Sequence, residues 1–239
     1  MKIIKETVKA HEVFIYVAPH HERDVALPIL YMLDGLEVEK IWDKIIAPLE
    51  EKVLKGEMKP FIAVGIYAKE RQNEYTPWKQ EGIAPRFVAF GGNAKEYLAF
   101  LTEELMPYIE ENYRVDKENI GLMGYSLGGL FAIYTAFTEA TFTKIASVSG
   151  SSWYPNLTQF VQTSQLANKE VKLYMSSGEN EGAGKTNILK DAALCTHAIM
   201  KSLEEKVKSP EHFTTYFDQG GHHNYLVERY QRAIQWFCN

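Results

Sequence analysis

The sequence has little cysteine and no long apolar run. Only two cysteines, Cys195 and Cys238, occur in 239 residues, which excludes a disulfide framework. No stretch approaches the ~20 apolar residues of a membrane-spanning helix. The first ten residues carry charges at positions 2, 5, 6 and 9 and so lack the apolar core of a signal peptide. We therefore expect a cytoplasmic protein with no membrane partner.

Positive charge is also scarce. The net charge is -5, and no cluster of lysine or arginine provides the basic patch that nucleic acids or anionic membranes require. Hydrophobic residues make up 46% and charged residues 24%, as is typical of globular proteins with a substantial core. The length allows one large or two small domains. Because no Pro/Gly/Ser linker interrupts the chain, we predict a single domain over residues 1–239.

Short apolar runs alternate with helical patterns along the chain. From the third run onward the strands are almost continuously apolar, as in parallel sheets buried on both faces. This alternation predicts an α/β fold with a central, mostly parallel eight-stranded sheet, helices on both faces, and ligands at the carboxyl ends of the strands. The predicted strands are 3–8, 12–18, 28–33, 61–67, 119–124, 144–149, 171–176 and 212–217. The predicted helices are 41–53, 97–109 with a kink at Pro107, 127–139, 187–207 and 225–237.

A serine lies between glycines where the fifth predicted strand meets a helix, in "GYSLG" at 124–128. A serine on a sharp strand-to-helix turn needs small residues two positions to either side, because the backbones approach closely. The same turn directs backbone N–H groups and the positive end of a helix toward a developing oxyanion. We therefore predict that Ser126 is a nucleophile rather than a structural turn residue.

A serine nucleophile needs a base, and the base needs an acid that follows the serine in the chain. Of seven histidines, the pair in "GGHH" follows the last predicted strand on a glycine-rich turn. His222 is preferred to His223 because it directly follows the glycines. The turn after the strand at 171–176 offers Glu179 and Glu181 as the acid.

The same turn, "GENEGAGKT" at 178–186, invites a nucleotide-binding interpretation. A phosphate-binding loop requires glycine at the position of Glu179, and two carboxylates would repel phosphate. Thr186 is instead predicted to cap a helix. Adjacent histidines point apart and no third ligand has suitable spacing, so we expect neither metal nor cofactor.

Several segments together resemble the putative-esterase family of α/β-hydrolases, which includes esterase D-like enzymes, feruloyl and acetyl-xylan esterases, enterobactin-type siderophore esterases and mycolyltransferases. The resemblance covers nearly the whole chain. It is carried by "YMLDG" (31–35), "RQNEYTPW" (71–78), "FLTEELMPYIEENYRV" (100–115), "GLMGYSLGGLFAIYTAF" (121–137), "SVSGSSW" (147–153) and "GGHH" (220–223).

The resemblance implies an α/β-hydrolase with Ser126 as nucleophile, His222 as base and Glu181 as acid, with Glu179 as the rival. The oxyanion hole would use the backbone N–H groups of Leu127 and Leu36. Asp34 would hold loop hydrogen bonds. The expected activity is hydrolysis of a small acyl, aryl or siderophore-like ester through an acyl-enzyme; acyl transfer by the same residues is the alternative.

Residues 68–93 have no clear period and are predicted to form a long functional loop. Arg71 could bind a substrate carboxylate or catecholate, or it could anchor this loop together with Glu74. Aromatic side chains could contact an aromatic acyl group, with Trp153 forming either a pocket wall or core packing. The aromatic candidates for substrate binding are Tyr75, Trp78, Tyr125 and Trp153. The oligomeric state stays open.

Overall fold

The computed structural model describes residues 3–19, 25–83 and 88–239. Within them one eight-stranded sheet has the order β1-β2-β4-β3-β5-β6-β7-β8. β2 pairs antiparallel with both β1 and β4, and all other neighbours are parallel, which confirms the predicted sheet. The strands are β1 (Ile3–Val8), β2 (His11–Val17), β3 (Leu27–Met32), β4 (Ile62–Ile66), β5 (Val115–Tyr125), β6 (Lys144–Val148), β7 (Lys172–Gly178) and β8 (Phe213–Asp218).

Helices fill the connections between strands. A π-helical turn, Leu101–Leu105, joins the helices Ala94–Phe100 and Met106–Asn112 and ends two residues before Pro107, whose missing N–H interrupts regular helical bonding. Short 3₁₀ turns lie at Ile188–Asp191 and Pro210–His212. The α-helices are α1 (Gly35–Leu54), α2 (Arg71–Glu74), α3 (Ala94–Phe100), α4 (Met106–Asn112), α5 (Leu127–Thr138), α6 (Leu157–Thr163), α7 (Ala192–Glu204) and α8 (Leu226–Cys238).

Both faces of the sheet are covered, and successive strand residues alternate between the two cores. In β3, Ile29 and Tyr31 pack against the face covered by α3 to α7, whereas Leu30 and Met32 pack against α1 and α8. A strand with both faces buried needs apolar residues at every position, because its side chains point alternately to either side. This requirement explains the continuous apolar runs in the sequence.

Several predicted segments differ in detail from the structure: α1 begins at Gly35, β5 begins at Val115, and α6 was not predicted. The segment 68–93 contains α2 and a bridge between Gln80 and Phe90, so it is not wholly irregular; its residues 84–87 lie outside the described residues. The predicted helix at 187–207 starts with a 3₁₀ turn, where the Asn187 side chain accepts a hydrogen bond from the N–H of Leu189. Asn187 therefore caps this turn, and the prediction of Thr186 was wrong.

The described part of the chain contains no helix with the length and apolarity needed to cross a membrane. Its sheet instead brings three loops together at one edge. Ser126 follows β5, Glu181 follows β7 and His222 follows β8, and parallel strands present their carboxyl ends at the same edge.

Candidate active site

Ser126 lies on a strained turn between β5 and α5. Its φ of 59° and ψ of -118° are rarely adopted by residues other than glycine. Its N–H donates to the Val148 carbonyl at 3.1 Å, and its carbonyl accepts from the N–H of Ser151 at 2.9 Å. A Cβ at Gly124 would lie 2.3 Å from the carbonyl carbon of Gly128, so no side chain fits there. The turn thus displays the serine as the glycine spacing predicts.

His222 bridges the serine and a carboxylate. Its Nε2 lies 3.1 Å from Ser126 Oγ and its Nδ1 lies 2.9 Å from Glu181 Oε2. In the tautomer that satisfies both contacts, Nδ1–H donates to Glu181 and Nε2 accepts from the serine hydroxyl. Glu179 and His223 are both exposed. The structure therefore places Glu181, and not Glu179, against His222.

Several contacts keep the Glu181 carboxylate ionised. Burial raises the pKa of this carboxyl, and the hydrogen bond and charge of His222 lower it. The N–H of Gly178, 3.1 Å from Oε1, and the Ser149 hydroxyl lower the pKa further. The resulting pKa lies below the ordinary value, so Glu181 can stabilise an imidazolium at neutral pH.

The expected oxyanion donors lie at two helix amino termini. Leu127 opens α5 and Leu36 lies in the first turn of α1, where N–H groups have no acceptor within the helix. The Leu36 side chain is 50% exposed. A Cβ at Gly35 would lie 2.5 Å from the carbonyl carbon of Gly65, so glycine allows α1 to begin against β4.

Arg71 anchors the loop that precedes α1. Its Nε lies 2.6 Å from Asp34 Oδ1 and its Nη2 lies 2.9 Å from Asp34 Oδ2, and Nη2 also donates to the Tyr125 carbonyl at 3.1 Å. Burial raises the pKa of Asp34, and the guanidinium opposes that rise. Glu74 contacts His11 at 3.1 Å instead. These contacts favour the anchoring interpretation of Arg71, although its side chain is 36% exposed.

The aromatic candidates occupy different environments. Tyr75 is fully buried between Tyr97 and Phe131, and its hydroxyl accepts from the N–H of Asp34 at 2.9 Å. Its ring cannot stack on a substrate in this structure, so that prediction was wrong; the side chain supports the Asp34 loop instead.

The two tryptophans among the substrate-binding candidates, Trp78 and Trp153, are half-buried. Trp78 donates from Nε1 to the Pro155 carbonyl at 2.9 Å and packs against Tyr154. Trp153 contacts Phe90 and Tyr154. Both rings are therefore partly in the core, and both keep some exposed surface.

Comparison with known proteins identifies the family of the chain. A family model described as "Putative esterase" matches residues 5–232. The chain belongs to this esterase family. It is 31% identical to the uncharacterized Bacillus subtilis protein YbbA over 228 residues, which is 93% of this chain and 90% of the relative. It is 24% identical to the ferri-bacillibactin esterase BesA of the same organism over 200 residues, covering 75% and 69% of the two chains.

Solved structures share the fold of this esterase. An IroE-like serine hydrolase from Shewanella oneidensis superposes with a TM-score of 0.83 at 20% identity and covers 98% of this chain and 79% of its own. The predicted family, the α/β-hydrolase fold and the assignment as an esterase are thus confirmed.

Tyr125 supports the histidine of this esterase. Its ring stacks on His222 with centroids 5.0 Å apart, and its hydroxyl donates to the His222 carbonyl at 2.6 Å. The hydroxyl also lies 3.2 Å from Nδ1 of His223. The stacking and the hydrogen bond to the His222 carbonyl hold the histidine loop, and the predicted substrate contact of Tyr125 stays a prediction.

The sequence reasoning missed Arg229. This side chain of α8 is fully buried and lies 3.4 Å from Glu181 Oε1 and 3.2 Å from the His222 carbonyl. A signal was present, because position 229 lies on the helix face that carries Ala233 and Phe237, both of them buried. A charged residue on a buried helix face indicates a buried partner. Among the described residues no cluster of three or more His, Cys, Asp or Glu is arranged to hold a metal.

Proposed function

We propose that the protein is a serine carboxylesterase that forms an acyl-enzyme at Ser126. The observation that carries this proposal is the placement of His222, with Nε2 at 3.1 Å from Ser126 Oγ and Nδ1 at 2.9 Å from Glu181. A serine hydroxyl is a weak nucleophile at neutral pH, and such an aligned base and carboxylate activate it.

In the proposed reaction Ser126 Oγ attacks the ester carbonyl carbon while His222 Nε2 takes the hydroxyl proton. The negative charge that forms on the carbonyl oxygen is stabilised by the N–H groups of Leu127 and Leu36. His222 then donates its proton to the leaving alcohol. Water, deprotonated by the same histidine, attacks the acyl-enzyme and releases the acid.

The proposed substrate class is a small acyl, aryl or siderophore-like ester. BesA is named for ferri-bacillibactin, and the partly exposed Arg71 offers a cation for a substrate carboxylate or catecholate. Arg71 Nη1 has no hydrogen-bond acceptor among the described residues. Trp78 and Trp153 keep exposed surface for apolar contact.

Hydrolysis of p-nitrophenyl esters from acetate to octanoate tests the reaction. Ser126→Ala and His222→Ala should lower kcat by roughly 10³-fold or more, and Glu181→Ala by on the order of 10²-fold. His223→Ala and Glu179→Ala are matched controls, since both residues are exposed neighbours of triad members, and each should stay within about twofold of the wild type. Turnover that survives Ser126→Ala would refute the mechanism.

The substrate class is tested separately with a catecholate trilactone siderophore, with and without iron, and chromatography of the products. We expect linear products to appear with the wild type and not with Ser126→Ala. Their absence, together with rapid turnover of acetate esters, would reject the siderophore assignment while leaving the esterase mechanism standing.

A further inference from the structure

We infer that Arg229 is a positioning residue that holds the acid and the base of the triad in register. This inference rests on the proposed function. The side chain projects from α8 beneath two separate loops, the turn after β7 that carries Glu181 and the loop after β8 that carries His222. One guanidinium is therefore in contact with both loops.

All N–H groups of this guanidinium have acceptors. Nε donates to Asp218 Oδ2 at 2.6 Å, and Nη2 donates to Asp218 Oδ1 at 2.7 Å and to the Gly221 carbonyl at 3.1 Å. Nη1 is shared by Ser149 Oγ at 2.5 Å, the His222 carbonyl at 3.2 Å and Glu181 Oε1 at 3.4 Å. A planar group with five fixed donors can hold such a set, whereas an ammonium cannot.

The backbone packs closely around the guanidinium. Arg229 is 0% exposed. A Cβ at Gly178 would lie 2.6 Å from Arg229 Nη2 and 2.1 Å from the Gly220 carbonyl oxygen. The end of β7, the histidine loop and the guanidinium thus fit together only with glycine at position 178. Because placement errors near 1 Å can lower rates about 100-fold, contacts that fix two catalytic loops bear directly on turnover.

The charges near His222 form a balanced set. Asp218, Glu181 and Arg229 together carry one net negative charge, which an imidazolium at His222 would neutralise. Tyr125 at the end of β5 and His223 in the same loop also face this ring, while the charges of Arg232 and Lys185 act on Asp218 and His223 respectively. Removing the charge of Arg229 makes the net charge more negative, whereas removing the charge of Asp218 makes it more positive. The two substitutions should therefore shift the pH dependence of the reaction in opposite directions.

The test measures the rate at which a fluorophosphonate labels Ser126 between pH 5 and 9, with kcat and KM for a p-nitrophenyl ester and the melting temperature alongside. Labelling needs no knowledge of the natural ester. Arg229→Gln should lower kcat about 100-fold with little change in KM. The acidic limb of its profile of labelling rate against pH should move to higher pH by about one unit. Loss of the guanidinium leaves two net negative charges near His222, and these favour the imidazolium.

Two variants separate charge from geometry. Arg229→Lys keeps the charge and loses the planar donor set, so the acidic limb should stay in place while kcat falls about tenfold. Asp218→Asn removes one negative charge, so its acidic limb should move to lower pH. Arg232→Gln is the comparison variant: this arginine lies on the same helix, stacked 3.4 Å over the ring of Tyr216 and near Asp218, so its loss should change kcat and the acidic limb far less than Arg229→Gln does.

Wild-type labelling rates and an unchanged pH profile in Arg229→Gln and Arg229→Lys, with only a lower melting temperature, would overturn the inference. If neither Arg229 variant folds, Asp218→Asn provides the test, because the acidic limb of its labelling-rate profile should move to lower pH. An unchanged acidic limb in Asp218→Asn would also overturn the inference. A wild type that is labelled but hydrolyses no ester refutes the proposed function alone. A wild type that is not labelled refutes both.

Discussion

Two arginine–carboxylate pairs flank Ser126, and their arginines differ in how far water reaches them. On the oxyanion side Arg71 binds Asp34 through two contacts of 2.6 and 2.9 Å. On the histidine side Arg229 binds Asp218 through two contacts of 2.6 and 2.7 Å. The geometry is nearly the same, yet the Arg71 side chain is 36% exposed and the Arg229 side chain is 0% exposed.

The difference teaches what each pair can do. A guanidinium with every donor engaged and no exposed surface can only fix the groups around it, which here include the Glu181 carboxylate and the His222 carbonyl. A guanidinium with a solvent-facing edge can fix its own loop and still meet a ligand. The same residue type thus fits a positioning role on one side of the serine and a recognition role on the other.

The largest expected contrast is in stability. Asp218→Asn leaves the fully buried Arg229 short of a charged partner and should lower the free energy of unfolding by about 3 kcal/mol. Asp34→Asn leaves a partly solvated Arg71 and should lower it by about 1 kcal/mol. Denaturant unfolding at neutral pH measures both. Equal losses would mean that exposure of the arginine does not distinguish the pairs.

The oxyanion side is probed by a change that removes a single N–H. Proline is tolerated in the first turn of a helix, so Leu36→Pro should preserve α1 and delete the proposed donor. We expect kcat to fall by about 10²- to 10³-fold. Leu36→Ala keeps the N–H and is the control. If the proline and alanine variants turn over ester equally fast at similar melting temperatures, the donor lies elsewhere.

The recognition role of Arg71 is tested by the charge of the substrate. Arg71→Met should raise KM about tenfold for p-nitrophenyl hemisuccinate, because an exposed ion pair to the substrate is lost. KM for p-nitrophenyl butyrate, which has a similar acyl length and no charge, should stay nearly constant. A parallel rise for both esters would assign Arg71 to loop anchoring alone.

The smallest effect concerns pH and stability. The pKa of Glu181 is lowered in the folded protein from its ordinary 4.5, so its ionised form stabilises the fold above that pH, and this stabilisation is lost as pH falls through the folded-state pKa. The difference in unfolding free energy between wild type and Glu181→Gln should therefore shrink as pH falls below about 4.5. Glu179→Gln, at an exposed position in the same turn, is the control.

Much of this arrangement could be predicted from the sequence, because it follows from short-range patterns. Continuous apolar runs predicted the parallel sheet, and the spacing of Gly124 and Gly128 predicted the turn at Ser126. The choice between Glu179 and Glu181 could not be made from residues alone, since both lie in one turn and only its path decides which reaches His222.

Long-range packing accounts for the errors. Tyr75 belongs to a segment without periodicity, so nothing local indicated that its ring would be buried against Phe131, a residue of α5. Arg229 was missed because its carboxylate partners are distant in sequence: Glu181 follows β7 and Asp218 ends β8, whereas Arg229 lies in α8. Its place on the apolar face of α8 was visible, but the acceptors that satisfy it exist only once β7 and β8 lie side by side.

The strained backbone at Ser126 implies a trade-off between catalytic activity and thermal stability. A φ of 59° with ψ of -118° costs about 1–3 kcal/mol for a residue with a side chain and far less for glycine. Ser126→Gly should therefore yield a more heat-resistant and inert protein. Laboratory evolution that screens only for thermal stability should favour variants that replace Ser126. Thermostabilised variants should therefore be screened for ester turnover at the same time.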